Sequence, residues 1–93
     1  MQLVVTVPEH HPSYEDHFPE GVIVPGVVLL ELILQACRSN GINITSIRSA
    51  KFLDSPAPGT QLTLEIEQKK SSYAVIAKAA DHVFLNLSLA DAR

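Results

Sequence analysis

A single cysteine, Cys37, is the chain's whole stock of thiol chemistry. One cysteine excludes an intramolecular disulfide and suits a reducing cytoplasm. Positive charge is also scarce: seven Lys and Arg stand against ten Asp and Glu, for a formal net charge of −3. That balance argues against nucleic acid as a partner. No basic-then-apolar segment opens the chain as a secretory signal would. The longest apolar run, interrupted by Glu31 and Gln35, falls short of the ~20 residues a membrane span needs. Repeats, linkers and low-complexity tracts are missing as well. What the chain has in excess is apolar side chains, 46% of the sequence against 18% charged. Residues 1–93 fit one domain. A chain this short buries little more than ~60% of its unfolded surface. Its apolar content exceeds what a short monomer needs, so association with a second chain is expected.

QLVVTV (2–7) is short and β-branched and reads as a strand. Residues 8–26, PEHHPSYEDHFPEGVIVPG, hold four prolines and two glycines and show no regular period. Loops of this length in small domains are usually functional or disordered, and Tyr14, Phe18, Val22, Ile23 and Val24 favour order. Pro25-Gly26 then opens a helix that runs without a breaker to Asn40-Gly41. Gly41 suits the C-terminal cap, and Arg38 in the last turn complements the helix dipole. After Gly41 the period becomes two. Residues 42–54 predict a strand, with room for a bend, and 55–60 (SPAPGT) a turn. Residues 61–70 predict a strand with Leu62, Leu64 and Ile66 on one face. Strands over 73–80 and 83–90 follow, joined by a tight hairpin at Asp81-His82.

One helix that is apolar nearly all round must be buried nearly all round. A single antiparallel sheet achieves that only by curling around it. The expected class is therefore α+β, a hot-dog fold in which about five antiparallel strands wrap one central apolar helix.

HFPEGVIVPGVVLLELILQ (17–35) carries the candidate chemistry. Glu31 and Gln35 are four apart and share one helix face. A carboxylate on an apolar helix must either reach the surface or meet something polar. Burial would raise its pKa and suit it to donate a proton near neutrality. Gly26 stands where backbone N–H groups lack intrahelical partners and can hold an anion or a developing oxyanion. Pro25 fixes the entry and gives up no useful donor. His17, on the preceding loop, is a candidate base. A base, an acid and an oxyanion site beside an apolar groove suit loss of water from a β-hydroxyl next to a carbonyl.

The same residues resemble a known signature. HFP followed by VIVPGVVLLELILQ is similar to the pattern HFPG-x-P-x-x-PG-x-x-x-x-E-x-x-x-Q of the FabZ-type 3-hydroxyacyl-acyl-carrier-protein dehydratases. AKFLDSPAPGTQL (50–62) resembles the family's second block, A-[KR]-F-x-x-P-x-x-PG-D-x-L. The resemblance covers nearly the whole chain, and Glu31 separates it from the FabA-type relatives, which use Asp there. It implies that His17 takes the α-proton and Glu31 handles the leaving hydroxyl. It further implies that the Gly26 N–H holds the thioester carbonyl and Gln35 and Pro25 support the site. Phe18, Val24 and Phe52 would contact substrate. No cofactor or metal is implied. The partners implied are an acyl carrier protein bearing a 3-hydroxyacyl chain and a second hot-dog chain, as homodimer or heterodimer, because the cooperating His and Glu come from different subunits. Nucleic acid and membrane are not expected partners, and the expected location is the cytoplasm.

Departures from the pattern are local. HFPG is HFPE here, with Gly21 one place later, and the following Pro is Val22. Leu53-Asp54 stands where the family carries basic residues that dock the carrier, so docking would fall to Arg38, Arg48, Lys51, Lys69 and Lys70. The chain starts where a typical FabZ already has a helix and a strand. It is in this similar to short dehydratases of aryl-polyene pathways, in which two dehydratase-like chains can pair. Two alternatives stand beside the dehydratase: a non-catalytic or half-site subunit that completes another chain's site, and a hot-dog thioesterase, against which His17 counts. A MaoC-type hydratase would need Asp and His at a spacing that Asp16-His17 lacks. Cys37 reads as a small buried apolar residue. His10 and His11, adjacent in extended chain, point apart and make a poor metal site with His17. His82 reads as a turn residue.

Overall fold

A computed structural model describes residues 1–12, 14 and 24–91. His17 and Phe18 lie outside the described residues, as do Gly21 and Val22. Strands β1 (Gln2–Thr6), β2 (Ile44–Phe52), β3 (Gln61–Gln68), β4 (Ser72–Ala79) and β5 (His82–Asp91) accompany one helix, α1 (Gly26–Ser39). The strands form one sheet in the order β1-β3-β4-β5-β2, and every neighbouring pair is antiparallel. This is the hot-dog arrangement expected from the helix's apolar surface.

Period-two alternation puts Leu62, Leu64 and Ile66 of β3 on the inner face, and register extends that face across the sheet. Leu64 stands opposite Ala77, Ile66 opposite Val75, and Val75 opposite Leu87. All six side chains are buried. Val28, Leu29, Ile33 and Cys37 of α1 complete the core against them. Their spacing is that of one helix face, and full burial of a Leu or Ile contributes roughly 1.5–3 kcal/mol each. Burial pushes the Cys37 thiol up, with Arg38 opposing the shift.

The helix ends as its sequence dictates. Gly41 adopts φ +82°, its N–H donates to the Arg38 carbonyl, and the Ile42 N–H donates to the Cys37 carbonyl, each at 3.1 Å. This is the Schellman pattern, closed by buried Ile42 beside buried Cys37. The Asn40 side-chain amide also donates to the Ala36 carbonyl at 2.8 Å. At the other end Pro25 is the N-cap, its carbonyl accepting from Val28 N–H at 3.0 Å.

One sequence expectation shifts by a residue and another is met. The hairpin between β4 and β5 turns at Ala80-Asp81, with Ala80 at φ +52°, and His82 is already in β5, paired with Ala79. Strand β2 does bend: its register with β5 shifts between Ile44 and Ser46 and again between Ile47 and Ser49, as bulges bend an edge. Wrapping of the helix is also one-sided in the single chain. Val27, Glu31, Gln35 and Arg38 form an exposed stripe along α1, and edge strand β2 is exposed from Thr45 to Phe52.

Candidate active site

Two recesses flank the first half of α1. The larger, about 330 Å³, opens at the helix start and is lined by Val24, Gly26, Leu29, Phe52, Leu53 and the Asp54-Ser55 segment. Its walls are mainly apolar, with polar groups at one end. Among the described residues no side chain caps the first-turn N–H groups of α1, so the helix N-terminus presents donors at a recess of this kind. Gly26 leaves room for a ring there: a Cβ would stand 2.9 Å from Phe52 Cζ and 3.0 Å from Cε1 and would push the ring aside. The aromatic ring thus covers the helix start at van der Waals contact, and only a residue without a side chain leaves it in place.

The smaller recess, about 130 Å³, is lined by Pro8, His11, Val28, Glu31, Leu32 and Gln35. Glu31 and Gln35 share it because they are one turn apart. His11 reaches it from the long loop. The Tyr14 N–H donates to the His11 carbonyl, the Tyr14 hydroxyl donates to the Pro8 carbonyl, each at 2.9 Å, and the two rings lie 5.6 Å apart. Partial burial pushes the Tyr14 phenol up. Sequence reading considered His11 only as a metal ligand. Its neighbourhood with Glu31 has no signal in spacing, because it is created by the path of the loop over α1. Among the described residues no three His, Cys, Asp or Glu side chains converge as a metal site requires.

Of the expected site residues, Val24, Gly26 and Phe52 meet in the larger recess, next to Pro25. Glu31 and Gln35 meet in the smaller. Gly26 and Glu31 are separated by five helical residues, roughly 7.5 Å along the axis. Glu31 takes the first of the two courses open to it, reaching the surface, so this chain alone does not bury it. His17 and Phe18 are outside the described residues. The five candidate docking cations, Arg38, Arg48, Lys51, Lys69 and Lys70, are all exposed. No described helix is long and apolar enough to cross a membrane.

Comparison with known proteins gives a consistent result. Residues 1–86 match the family described as ApeI-like, ApeI dehydratase. The 3-hydroxyacyl-[acyl-carrier-protein] dehydratase FabZ of Aliivibrio fischeri is 31% identical over 110 aligned positions, covering all of this chain and 73% of that protein. FabZ of Actinobacillus pleuropneumoniae serotype 5b is 30% identical over 72% of this chain and 51% of its own length. Among solved structures, the dehydratase heterocomplex ApeI:P from Xenorhabdus doucetiae superposes with a TM-score of 0.72 at 21% identity, covering 99% of this chain and 86% of that one. At that identity the likeness speaks for the fold.

Proposed function

The chain belongs to the ApeI-like dehydratase family, and from that premise we propose that it removes water from 3-hydroxyacyl thioesters on acyl carrier protein to give trans-2-enoyl thioesters. It is a FabZ-like dehydratase, and the helix α1 carries the reading of its site. One element supplies the Gly26 N–H beside an apolar recess and, one and a half turns on, the Glu31 carboxyl beside Gln35.

In the proposed reaction His17 takes the proton from C2. The freed electron pair forms the C2–C3 double bond as the C3–O bond breaks. Glu31, protonated, gives its proton to the departing hydroxyl, which leaves as water. The Gly26 N–H donates to the thioester oxygen while negative charge develops there, the moment at which such a donor accelerates the step. His17 ends with one proton more and Glu31 with one fewer, and exchange with solvent resets both. Gln35 orients Glu31. Val24, Phe52 and Phe18 contact the acyl chain or the arm that bears it. The mechanism needs no cofactor.

A second hot-dog chain belongs to this reading. The open stripe Val27–Glu31–Gln35 and the exposed β2 edge, with Ile47 39% and Phe52 45% accessible, are what a partner would cover. An unpaired strand edge favours pairing with another strand. A partner over that stripe would also close Glu31 into the site. That the structural relative is a dehydratase heterocomplex favours a different chain as that partner, with this one as a half-site. Exposed Arg38, Arg48, Lys51, Lys69 and Lys70 are the proposed contacts for an acidic carrier. A cytoplasmic setting suits the free thiol of Cys37. Family membership sets the thioesterase alternative aside.

The test is incubation of a 3-hydroxyacyl carrier-protein thioester with the purified chain, with His17→Ala and with Glu31→Gln, the product read by mass. Water loss by wild type and by neither variant is the expected result. Free acid would replace the dehydratase by a thioesterase. An inert but folded wild type would assign the activity to a pair, tested by adding the partner chain.

A further inference from the structure

Three segments distant in sequence converge beside the larger recess: Leu53–Ser55 after β2, Val24 before α1, and the start of β5 after its turn. Backbone bonds anchor the first of these. The Leu53 and Asp54 N–H groups both donate to the Phe84 carbonyl, at 2.8 and 3.3 Å. Asp54 then works in two directions. Its Oδ1 accepts from the Ser55 N–H at 2.8 Å, and its Oδ2 lies 2.8 Å from His82 Nε2, which donates to it. His82 is itself held edge-on to the Phe84 ring, centroids 4.5 Å apart. Ser55, so oriented, donates its hydroxyl to the Val24 carbonyl at 3.2 Å.

That carbonyl belongs to the Val24–Pro25 peptide. Between it and the Gly26 N–H lie only two dihedrals, both of Pro25. One is φ, at −61° and fixed by the ring, and the other is ψ, at 144°. The Pro25–Gly26 peptide is held on the helix side by the Val28 N–H, which donates to the Pro25 carbonyl at 3.0 Å, and the hold on the Val24 carbonyl fixes its other side.

We infer that Asp54 and His82 are positioning residues: through Ser55 they grip the peptide before the helix and, together with the helix's own bond to the Pro25 carbonyl, set the direction of the Gly26 N–H. The consequence for turnover rests on the dehydratase reading above, whereas the consequence for Gly26 does not. Both side chains of the pair are 56% exposed, and an ion pair that accessible contributes little to folding. Its effect is thus expected in geometry and not in thermal stability. Supporting contacts of this kind matter because a donor misplaced by a fraction of an ångström loses much of its value.

The experiment uses ¹⁵N-labelled chain with Asp54→Ala, Ser55→Ala, His82→Ala and His82→Gln, the last retaining an N–H donor at similar reach. Two readouts are taken: the Gly26 amide chemical shift, and steady-state dehydration, with the partner chain present if one is needed. The three alanine variants should move the Gly26 signal with unfolding midpoints nearly unchanged at neutral pH, and His82→Gln should restore its position. In turnover, His82→Ala should lower kcat about tenfold with KM little changed. An unmoved Gly26 signal in all three alanine variants overturns the inference whatever the activity. A moved signal with unchanged kcat overturns the role in turnover. If wild type never releases water, the dehydratase reading falls, and the Gly26 signal alone then decides whether the grip exists.

Discussion

The ring of Phe52 rests on Gly26, so closely that a Cβ at position 26 would stand 2.9 Å from Cζ. This contact joins the last residue of β2 to the first of α1, across the recess expected to take the thioester. Gly26→Ala has two opposing effects on stability. Alanine favours a helix over glycine by roughly 0.5–1 kcal/mol. Displacing the ring costs something similar, because the clash is with the far end of a half-exposed side chain. The expected midpoint change is within a few degrees, while the new methyl group blocks approach of the carbonyl to the N–H. Activity should fall about a hundredfold or more, the effect of losing one oxyanion donor. Thermal unfolding and kcat/KM measured on the same sample check both statements.

If His17 and Glu31 of one site come from two copies of this chain, inactive variants should rescue each other. Mixing His17→Ala with Glu31→Gln under subunit exchange would give mixed dimers with one intact site in two. About a quarter of wild-type activity is then expected from equal amounts, by the statistics of random pairing in a two-fold dimer. Rescue only on adding a different hot-dog chain would identify a heterodimer, and no rescue in either case would place both residues in one subunit.

How much of this was legible in the sequence differs by element. The helix 26–39 and strand β3 follow from period and breakers, because Pro25, Gly26 and Gly41 punctuate a run that only a helix accommodates. The curled sheet followed from counting apolar faces. The β4–β5 turn was displaced by one residue because Ala80 takes a positive φ with neither Gly nor Asn to announce it. His82 was therefore read as a turn residue, and its bond to Asp54, 28 residues away, had no local signal at all. His11 came to Glu31 only through the fold of the loop. The exposure of Glu31 was also beyond a one-chain pattern, since the helix is apolar on the side a sheet covers and on the side left open alike.

Cys37 should be chemically silent in the native chain. It is fully buried, and burial pushes the thiol up, away from the thiolate that reacts. An aromatic disulfide reagent at neutral pH should label it only after denaturant is added. Cys37→Ala should keep full activity at a modest cost in stability, about 1 kcal/mol. Rapid labelling of native chain, or loss of activity in the alanine variant, would reopen a thiol-based mechanism.

Acid should weaken the hold on the recess wall. The Asp54 carboxyl lies below its ordinary value of 3.8, first because the Ser55 N–H donates to it and next because of His82. A group lowered by folding stabilises the native state above its unfolded pKa, and that contribution disappears as pH falls through the lower folded value. The affected window is therefore at and below 3.8, and neutral pH is untouched. Asp54→Asn should flatten the pH dependence of stability in that window, and its small deficit against wild type near neutrality should close in acid. A deficit that stays the same from neutral pH through acid would contradict this assignment.

Val27 separates folding from assembly. It begins the open stripe of α1 and is 55% exposed, whereas Ile33, nearly two turns on, has no exposure at all. Ile33→Ala should cost about 2–5 kcal/mol, the range for emptying a core site, and in so small a domain that consumes most of the native stability. Val27→Asp removes no core contact, so the isolated chain should keep its fold, seen as an unchanged far-UV spectrum. Association is another matter. A carboxylate placed where a partner would cover the stripe must be desolvated without a counter-charge. Sedimentation should show the wild-type species at twice the chain mass, alone or with its partner chain, and Val27→Asp at the mass of one chain. Dehydration should vanish with the assembly. A Val27→Asp chain that still pairs and still turns over would mean that the partner covers some other face, and that Glu31 does its work in the open.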